Sequence, residues 1–295
     1  MNVRSLHDVS LCVLLVLVAA AATCWGTPPP NNKALEQQRA CVELLTQRAL
    51  DVAQPHCELC LEFDPFNPEC HNALGLMAYL RGDDDTARKR YLEALRLNPE
   101  FAEARNNLGA LEMSRGDLER AAMRFRSALA IAPDYVDARY NLALTQLKLG
   151  QREHARSAGD GAGARQREMD FYASSEAEYL RLLALRPHHV EAQHDLCALH
   201  GSRAALSTTV QKQNEELVAA EACCALCLQL SPTHTRCLAG LAHLYRATGR
   251  CAEATAAAQR CVELDPGDES CRSLLLESLA CAGAQHAVPQ HVPAQ

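Results

Sequence analysis

Cysteine is the residue type with the widest chemical reach in this chain: there are 15 in 295 residues. Cys57-Glu58-Leu59-Cys60 and Cys224-Ala225-Leu226-Cys227 are C-x2-C motifs, a spacing that serves covalent haem attachment, dithiol redox chemistry, tetrahedral metal binding or disulfide bridging. Haem attachment needs a histidine directly after the motif, and Leu61 and Leu228 stand there instead. Redox catalysis favours a helix N-terminus, where the dipole lowers the thiol pKa. Both motifs fall late in helical segments, and only Pro55 offers a way to delay a helix start and bring Cys57 into a first turn. For zinc, Cys41, Cys57, Cys60 and Cys70 are one tetrahedral candidate, and His194, Cys197 and His200 lie three apart on one helix. His188-His189 follows a helix-ending proline and reads as a turn. The chain holds no H-E-x-x-H, no G-x-S-x-G and no Gly-rich phosphate loop. The expectation is no enzyme activity, no bound metal and no cofactor.

Which cysteine chemistry operates depends on compartment. Residues 1–10 carry one Arg and one Asp, and twelve unbroken apolar residues, Leu11 to Ala22, follow. Twelve is short of the ~20 needed to span a bilayer, and the layout is that of a secretory signal peptide over 1–23. The sequence Ala21-Ala22-Thr23-Cys24 resembles the bacterial lipobox. That resemblance implies lipidation of Cys24 and attachment to a membrane; cleavage by the ordinary signal peptidase after one of Ala19–Ala22 would leave Cys24 a plain cysteine. The Pro-rich stretch within 24–33 is expected to act as an extended tether. Lys plus Arg number 29 against 36 acids, for a formal charge of −7, which argues against a nucleic-acid partner.

The elements that position these cysteines are announced by proline. Pro65, Pro99 and Pro133 each follow an apolar helix end and are 34 residues apart; Pro232 and Pro266 are again 34 apart. Between them stand Leu74-Gly75, Ala87, Tyr91 and Ala94, then Leu108-Gly109, Ala121, Phe125 and Ala128, and then Leu142-Ala143 and Ala155. The frame resembles the tetratricopeptide repeat (TPR), a pair of antiparallel helices per unit. The resemblance implies an all-α solenoid of about six units over 34–283, stapled by disulfides. The units are 34–67, 68–101, 102–135, 136–189, 190–234 and 235–268, with a capping helix at 269–283 and a disordered tail at 284–295. The interval from Pro133 to Pro187 is 54 residues and that from Pro187 to Pro232 is 45. The first excess falls near 156–169, where Gly, Ala and charge read as a solvent loop; the second falls near 201–213.

On that repeat frame, Cys60, Cys227 and Cys261 share one place late in a second helix, and Cys70, Cys237 and Cys271 share one early in the next first helix. TPR geometry makes these segments antiparallel neighbours. The expected bridges are Cys60–Cys70, Cys227–Cys237 and Cys261–Cys271, with Cys251–Cys281 closing the far end of the last hairpin. The ten-residue linkage also resembles the twin C-x9-C hairpins of mitochondrial intermembrane-space proteins. Equivalent places within a unit add Cys41–Cys57 and Cys197–Cys224, with Cys223 a competing partner for the latter.

The first helices of a TPR array line its inner face. The positions that the family turns toward a ligand are here Glu69, Asn72, Leu76 and Tyr79; then Glu103, Asn106, Asn107 and Met113; then Asp137, Tyr140, Asn141, Leu144 and Leu147. They offer amides, apolar anchors and an acidic rim, which suits a peptide or an amphipathic helix with a basic edge; Leu76 and Leu144 could equally serve packing between units. With the export signal, the whole resembles the lipoprotein pilotins that help type IV pilus secretins assemble. A soluble exported adaptor and a thiol-redox or zinc-binding protein are the other classes left open.

Overall fold

A computed structural model of the chain describes residues 32–156 and 161–286, and every regular element among them is an α-helix. The elements are α1 (Asn32–Thr46), α2 (Leu50–Phe63), α3 (Pro68–Leu80), α4 (Asp84–Leu97), α5 (Ala102–Ser114), α6 (Leu118–Ile131), α7 (Val136–Arg156), α8 (Gly161–Leu185), α9 (Val190–Leu206), α10 (Val210–Leu230), α11 (Thr235–Ala247), α12 (Cys251–Leu264) and α13 (Glu269–His286). The all-α TPR-type reading holds. The contacts divide the chain into two compact units, one ending at Thr145 and one starting at Gln146. The first holds the pairs α1–α2, α3–α4 and α5–α6. The second holds α9–α10 and α11–α12, with α13 packed on α12. The expected export signal, Cys24 and the expected tether up to residue 31 lie outside the described residues, as do residues 287–295. Helix α1 starts at Asn32, inside the expected tether, and α13 runs to His286, past the expected end of the cap at 283. Ala-Gly-Ala-Gln-His holds no helix breaker stronger than one glycine, and the next proline is Pro289.

Six prolines organise the joints between successive helix pairs. The residue before each proline closes a helix: the N–H groups of Asp64, Asn98, Ala132, Arg186, Ser231 and Asp265 donate to the carbonyls of Cys60, Ala94, Ala128, Leu182, Cys227 and Cys261. Proline then stops propagation, having no N–H to donate. Two residues later, Asn67, Phe101, Tyr135, His189, His234 and Asp268 donate back to those same closing residues and start the next helix. Where the sequence allows, that residue also caps. The Asn67, His189 and His234 side chains accept from the N–H groups of Cys70, Ala192 and Cys237. The residues five before and five after each proline are buried at the joint, and at Pro65, Pro232 and Pro266 they are cysteines with sulfurs at bonding distance. In the middle joints these are Ala94 with Ala104 and Ala128 with Ala138, all fully buried.

Within a pair, a small residue lets two helices touch and an aromatic ring fills the gap. A Cβ added at Gly75 would stand 2.7 Å from the Tyr91 ring, and one at Gly109 would stand 2.7 Å from Phe125. Alanine in place of Gly109 gains ~1 kcal/mol of helix propensity, yet it must displace a fully buried ring. Gly109→Ala is therefore expected to lower stability by ~1–3 kcal/mol, read as a shift of the thermal melt followed by circular dichroism.

Of the expected loop near 156–169, residues 161–169 are helix instead, and residues 157–160 lie outside the described residues. Helix α7 has 21 residues and α8 has 25, against 13 in α5 and 14 in α6, and the inserted residues lengthen both. The small–large contact moves with them. Gly150 meets Tyr172, where an added Cβ would stand 2.5 Å from the ring, and Ala155, expected at a seam position, is exposed. The second insertion acts the same way, giving α9 17 residues and α10 21.

Candidate functional site

In the first unit, α3, α5 and the start of α7 carry a hydrogen-bonded run of side chains. Asn141 Nδ2 donates to Asn106 Oδ1 at 2.9 Å, and Asn106 Nδ2 donates to Asn107 Oδ1 at 3.5 Å. Asn107 Nδ2 then donates to Asn72 Oδ1 at 3.0 Å, and Asn72 Nδ2 donates to Glu103 Oε1 at 2.9 Å. An ionised carboxylate only accepts. Glu103 therefore makes Asn72 present its amino group, which turns the Asn72 carbonyl toward Asn107 and fixes the sense of the whole ladder. The amides that the sequence offers to a partner's backbone thus each spend one N–H on a neighbour, and each keeps a second.

Glu103 sits in an unfavourable field. Burial is the main force raising its pKa above the ordinary carboxylate value; the Asn72 hydrogen bond opposes this, and the charges of Glu69 and Asp137 add to the rise. Glu69 is raised as well, mainly by burial, against its own backbone hydrogen bond and with help from Asp64. Asp137 is buried beside the ladder. Among the apolar positions expected on this face, Leu76, Met113 and Tyr140 are buried in packing, and Thr145 Oγ1 donates to Met113 Sδ at 3.3 Å. Tyr79 and Leu144 stay half-buried and supply the apolar surface. Leu147 is buried in the second unit.

Twelve cysteines fall into six pairs with sulfurs at bonding distance. In the first unit these are Cys41 with Cys57 (Cα–Cα 5.2 Å) and Cys60 with Cys70 (6.5 Å). In the second they are Cys197 with Cys224 (5.7 Å), Cys227 with Cys237 (6.5 Å), Cys251 with Cys281 (5.5 Å) and Cys261 with Cys271 (5.7 Å). Three pairs occupy the joint positions that hold Ala–Ala in the middle of the chain, so a covalent link replaces a close van der Waals contact. Helix α2 begins at Leu50 with Pro55 inside it, which puts Cys57 beyond the first turn, where the dipole no longer lowers a thiol pKa. The two zinc sets read from sequence are not gathered. Cys41 and Cys57 pair apart from Cys60 and Cys70. His194 Nδ1 faces Asp195, Cys197 pairs with Cys224, and His200 Nδ1 faces Glu216.

Cys223 remains a free thiol, half-buried, and burial reinforced by the Glu176 charge pushes it up to about 11. It is a poor nucleophile at neutral pH and a weak competitor for the Cys197–Cys224 bond. Labelling of the folded protein by iodoacetamide at pH 8 is expected to run at least ~10-fold slower than labelling after denaturation.

The lengthened ends of the second unit's helices line an open cleft of about 820 Å³ whose wall includes His154, Arg165, Glu168, Arg203, Lys212 and Glu216. Sequence reasoning missed it because it took one wall for a loop. No helix among the described residues is long and apolar enough to cross a membrane.

Comparison with known proteins matches the repeat directly. A family model described as TPR repeat matches residues 75–112, and models described as tetratricopeptide repeat match 112–168 and 235–268. No curated protein matches the chain by sequence. Among solved structures, Pseudomonas aeruginosa PilF superposes with a TM-score of 0.65 at 18% identity, covering 84% of this chain and 99% of that one. PilW, described as a widely conserved type IV pilus biogenesis factor, gives 0.65 at 19%, covering 83% and 99%. YrrB, described as a TPR protein with an unusual peptide-binding site, gives 0.52 at 14%, covering 74% and 96%. At these identities the likeness speaks for the fold alone. Matched segments, proline joints and structural neighbours together give this chain an all-α, TPR-like fold, with repeat matches over 75–168 and 235–268.

Proposed function

We propose that the chain is a non-enzymatic scaffold whose first unit binds a peptide or helix carrying a basic edge. The observation that carries this reading is the state of Glu69 and Glu103. Burial holds both above the ordinary carboxylate value, and at Glu103 two further acids add to the rise. A Lys or Arg brought to that face supplies the missing counter-charge, the remaining N–H of Asn107, the half-buried member of the ladder, reaches a ligand backbone, and Tyr79 and Leu144 give apolar contact. Binding of a fluorescent Lys/Arg-rich helical peptide, followed by anisotropy, tests this. Saturable binding that is lost when half-buried Tyr79 and Asn107 are replaced supports it, and binding no tighter than that of an acidic peptide of equal length rejects it.

The same reading extends to place and role. An exported form, with lipid on Cys24 and its cysteines oxidised, would help assemble an envelope machine such as a type IV pilus secretin. The sequence of residues 1–24 supports this, and so does the likeness to PilW over nearly the whole of that protein. Mass spectrometry of the mature N-terminus decides it. A diacylglyceryl-modified Cys24 is expected, and a chain starting at any other residue removes the lipoprotein reading in favour of a soluble exported adaptor.

A further inference from the structure

Cys227, Cys237 and His234 form a group whose ligand atoms, the two sulfurs and one imidazole nitrogen, all lie within 4.8 Å of one another. Ligand atoms around a tetrahedral zinc ion stand ~3.5–4 Å apart, given Zn–S near 2.3 Å and Zn–N near 2.0 Å. We propose that, in the thiol state, Cys227, Cys237 and His234 bind a zinc-class divalent cation at the joint between α10 and α11.

Three observations carry the proposal. The joints themselves supply internal comparisons. Joints 60/70 and 261/271 have the two cysteines, but Asn67 and Asp268 stand where His234 does; joint 182/192 has His189, but its facing pair is Leu182 and Ala192. Among the described residues, only the joint at Pro232 brings two sulfurs and an imidazole nitrogen within 4.8 Å; at the Pro65 joint His71 Nε2 turns to the Pro65 carbonyl instead, at 3.1 Å. Capping does not require that imidazole, since Asn67 performs the same task for α3 by accepting from the Cys70 N–H at 3.0 Å. Finally, the far side of the ring is already oriented. His234 Nδ1 accepts from the Cys237 N–H, so Nε2 carries the proton and donates to Glu191 Oε1 at 3.2 Å. Arg236 holds the other Glu191 oxygen at 2.9 Å. A carboxylate behind a ligating histidine fixes its tautomer and makes it a better donor to metal.

Metal and bridge exclude each other. A phosphine reductant and water convert the Cys227–Cys237 disulfide into two thiols and a phosphine oxide. The cation then displaces one proton from each thiol and takes up both thiolates; it also takes the Nδ1 lone pair of His234, which gives up the hydrogen bond it accepts from the Cys237 N–H in the bridged state, and no further oxidant or reductant is needed. In this state the ion does the work of the bridge, tying α10 to α11.

The test uses the full chain, denatured and reduced with excess phosphine and refolded with Co2+ as the probe. Expected are a thiolate-to-cobalt charge-transfer band, visible bands of tetrahedral intensity, displacement of both by Zn2+, and a gain of helical circular dichroism on metal addition. His234→Asn keeps a capping side chain, as at Asn67, and is expected to weaken Co2+ binding at least ~10-fold; Glu191→Gln, acting through the histidine, is expected to weaken it ~10-fold. Should H234N lose helix content, the Cys227→Ser/Cys237→Ser variant carries the comparison and is expected to lose one Co2+ per chain. Equal cobalt affinity and spectra in wild type and in whichever variant remains helical, or no uptake by the reduced wild type, overturns the site.

Discussion

Reduction of the full-length protein is expected to unfold both ends of the chain while α3–α6 remain structured. In hydrogen exchange after phosphine treatment, amides of 32–66 and of 197–286 should lose protection, and those of 75–131 should keep it. The reason lies in what each hairpin buries. The core of α1–α2 is Cys41, Leu45, Ala53 and Cys57 against Ala73 and Met77, so two of its six fully buried members are cysteines. At the C-terminal end, Leu238 packs on Cys261 and Cys271, and Ala242 and Ala258 pack on Leu274. The centre instead buries Tyr91, Leu108 and Leu111 together, and one buried aromatic ring removes ~150–250 Å² from water at ~25 cal/mol per Å². Each bridge restrains the unfolded chain by ~3 kcal/mol, comparable to the side-chain packing those end hairpins lack. Protection lost evenly along the chain, or retained everywhere, would contradict this division.

Glu103→Gln should make the first unit more stable and its groove less useful. Glutamine still accepts from Asn72 through its carbonyl, and the variant removes a buried charge that faces Glu69 and Asp137. At neutral pH the gain is expected to be about 1 kcal/mol, a rise in the melting temperature. A carboxylate whose pKa is raised on folding takes up protons as the chain folds. Its penalty is therefore fully present above the raised value and fades as pH falls toward the ordinary carboxylate value. The melting temperatures of wild type and E103Q should accordingly converge in acid and separate toward neutrality. Affinity for a Lys/Arg-rich peptide should fall ~10-fold in the variant at pH 7, and in the wild type it should decline as pH drops through that same window. A variant that melts lower than wild type at pH 7, or binds the peptide equally well, would show that Glu103 meets its charge balance elsewhere.

The joints were readable from sequence because proline acts locally. At the joints it stops the helix before it, although Pro55 stands inside α2 and Pro68 opens α3, and equal spacing of Pro65, Pro99 and Pro133 implies equal hairpins. The facing positions five residues to either side follow from that, which is why the cysteine partners emerge once the frame is drawn. The first insertion was misread for an equally local reason. Gly159, Gly161 and Gly163 suggested a loop, yet Ala162, Ala164, Arg165, Gln166 and Arg167 favour helix, and two glycines in the first turn of a 25-residue helix cost only ~1 kcal/mol each. Shifting the seam contact from the place of Ala143 to Gly150 needs the partner ring at Tyr172, a residue 22 positions away whose register the repeat length does not specify. The Asn ladder was hidden too. Sequence places four amides on one face, but which bonds to which depends on how adjacent first helices are offset, and the single acceptor-only member, Glu103, then sets their direction.

The last hairpin has a topological consequence. Cys261–Cys271 links α12 to α13 at the turn, and Cys251–Cys281 links them again at the open end, so residues 251–281 form a closed covalent loop. A protease that nicks the backbone inside it releases no fragment. The cut chain keeps its full mass on a non-reducing gel and separates into two bands only when a thiol is added, while exopeptidase trimming from the C-terminus stalls where the loop begins.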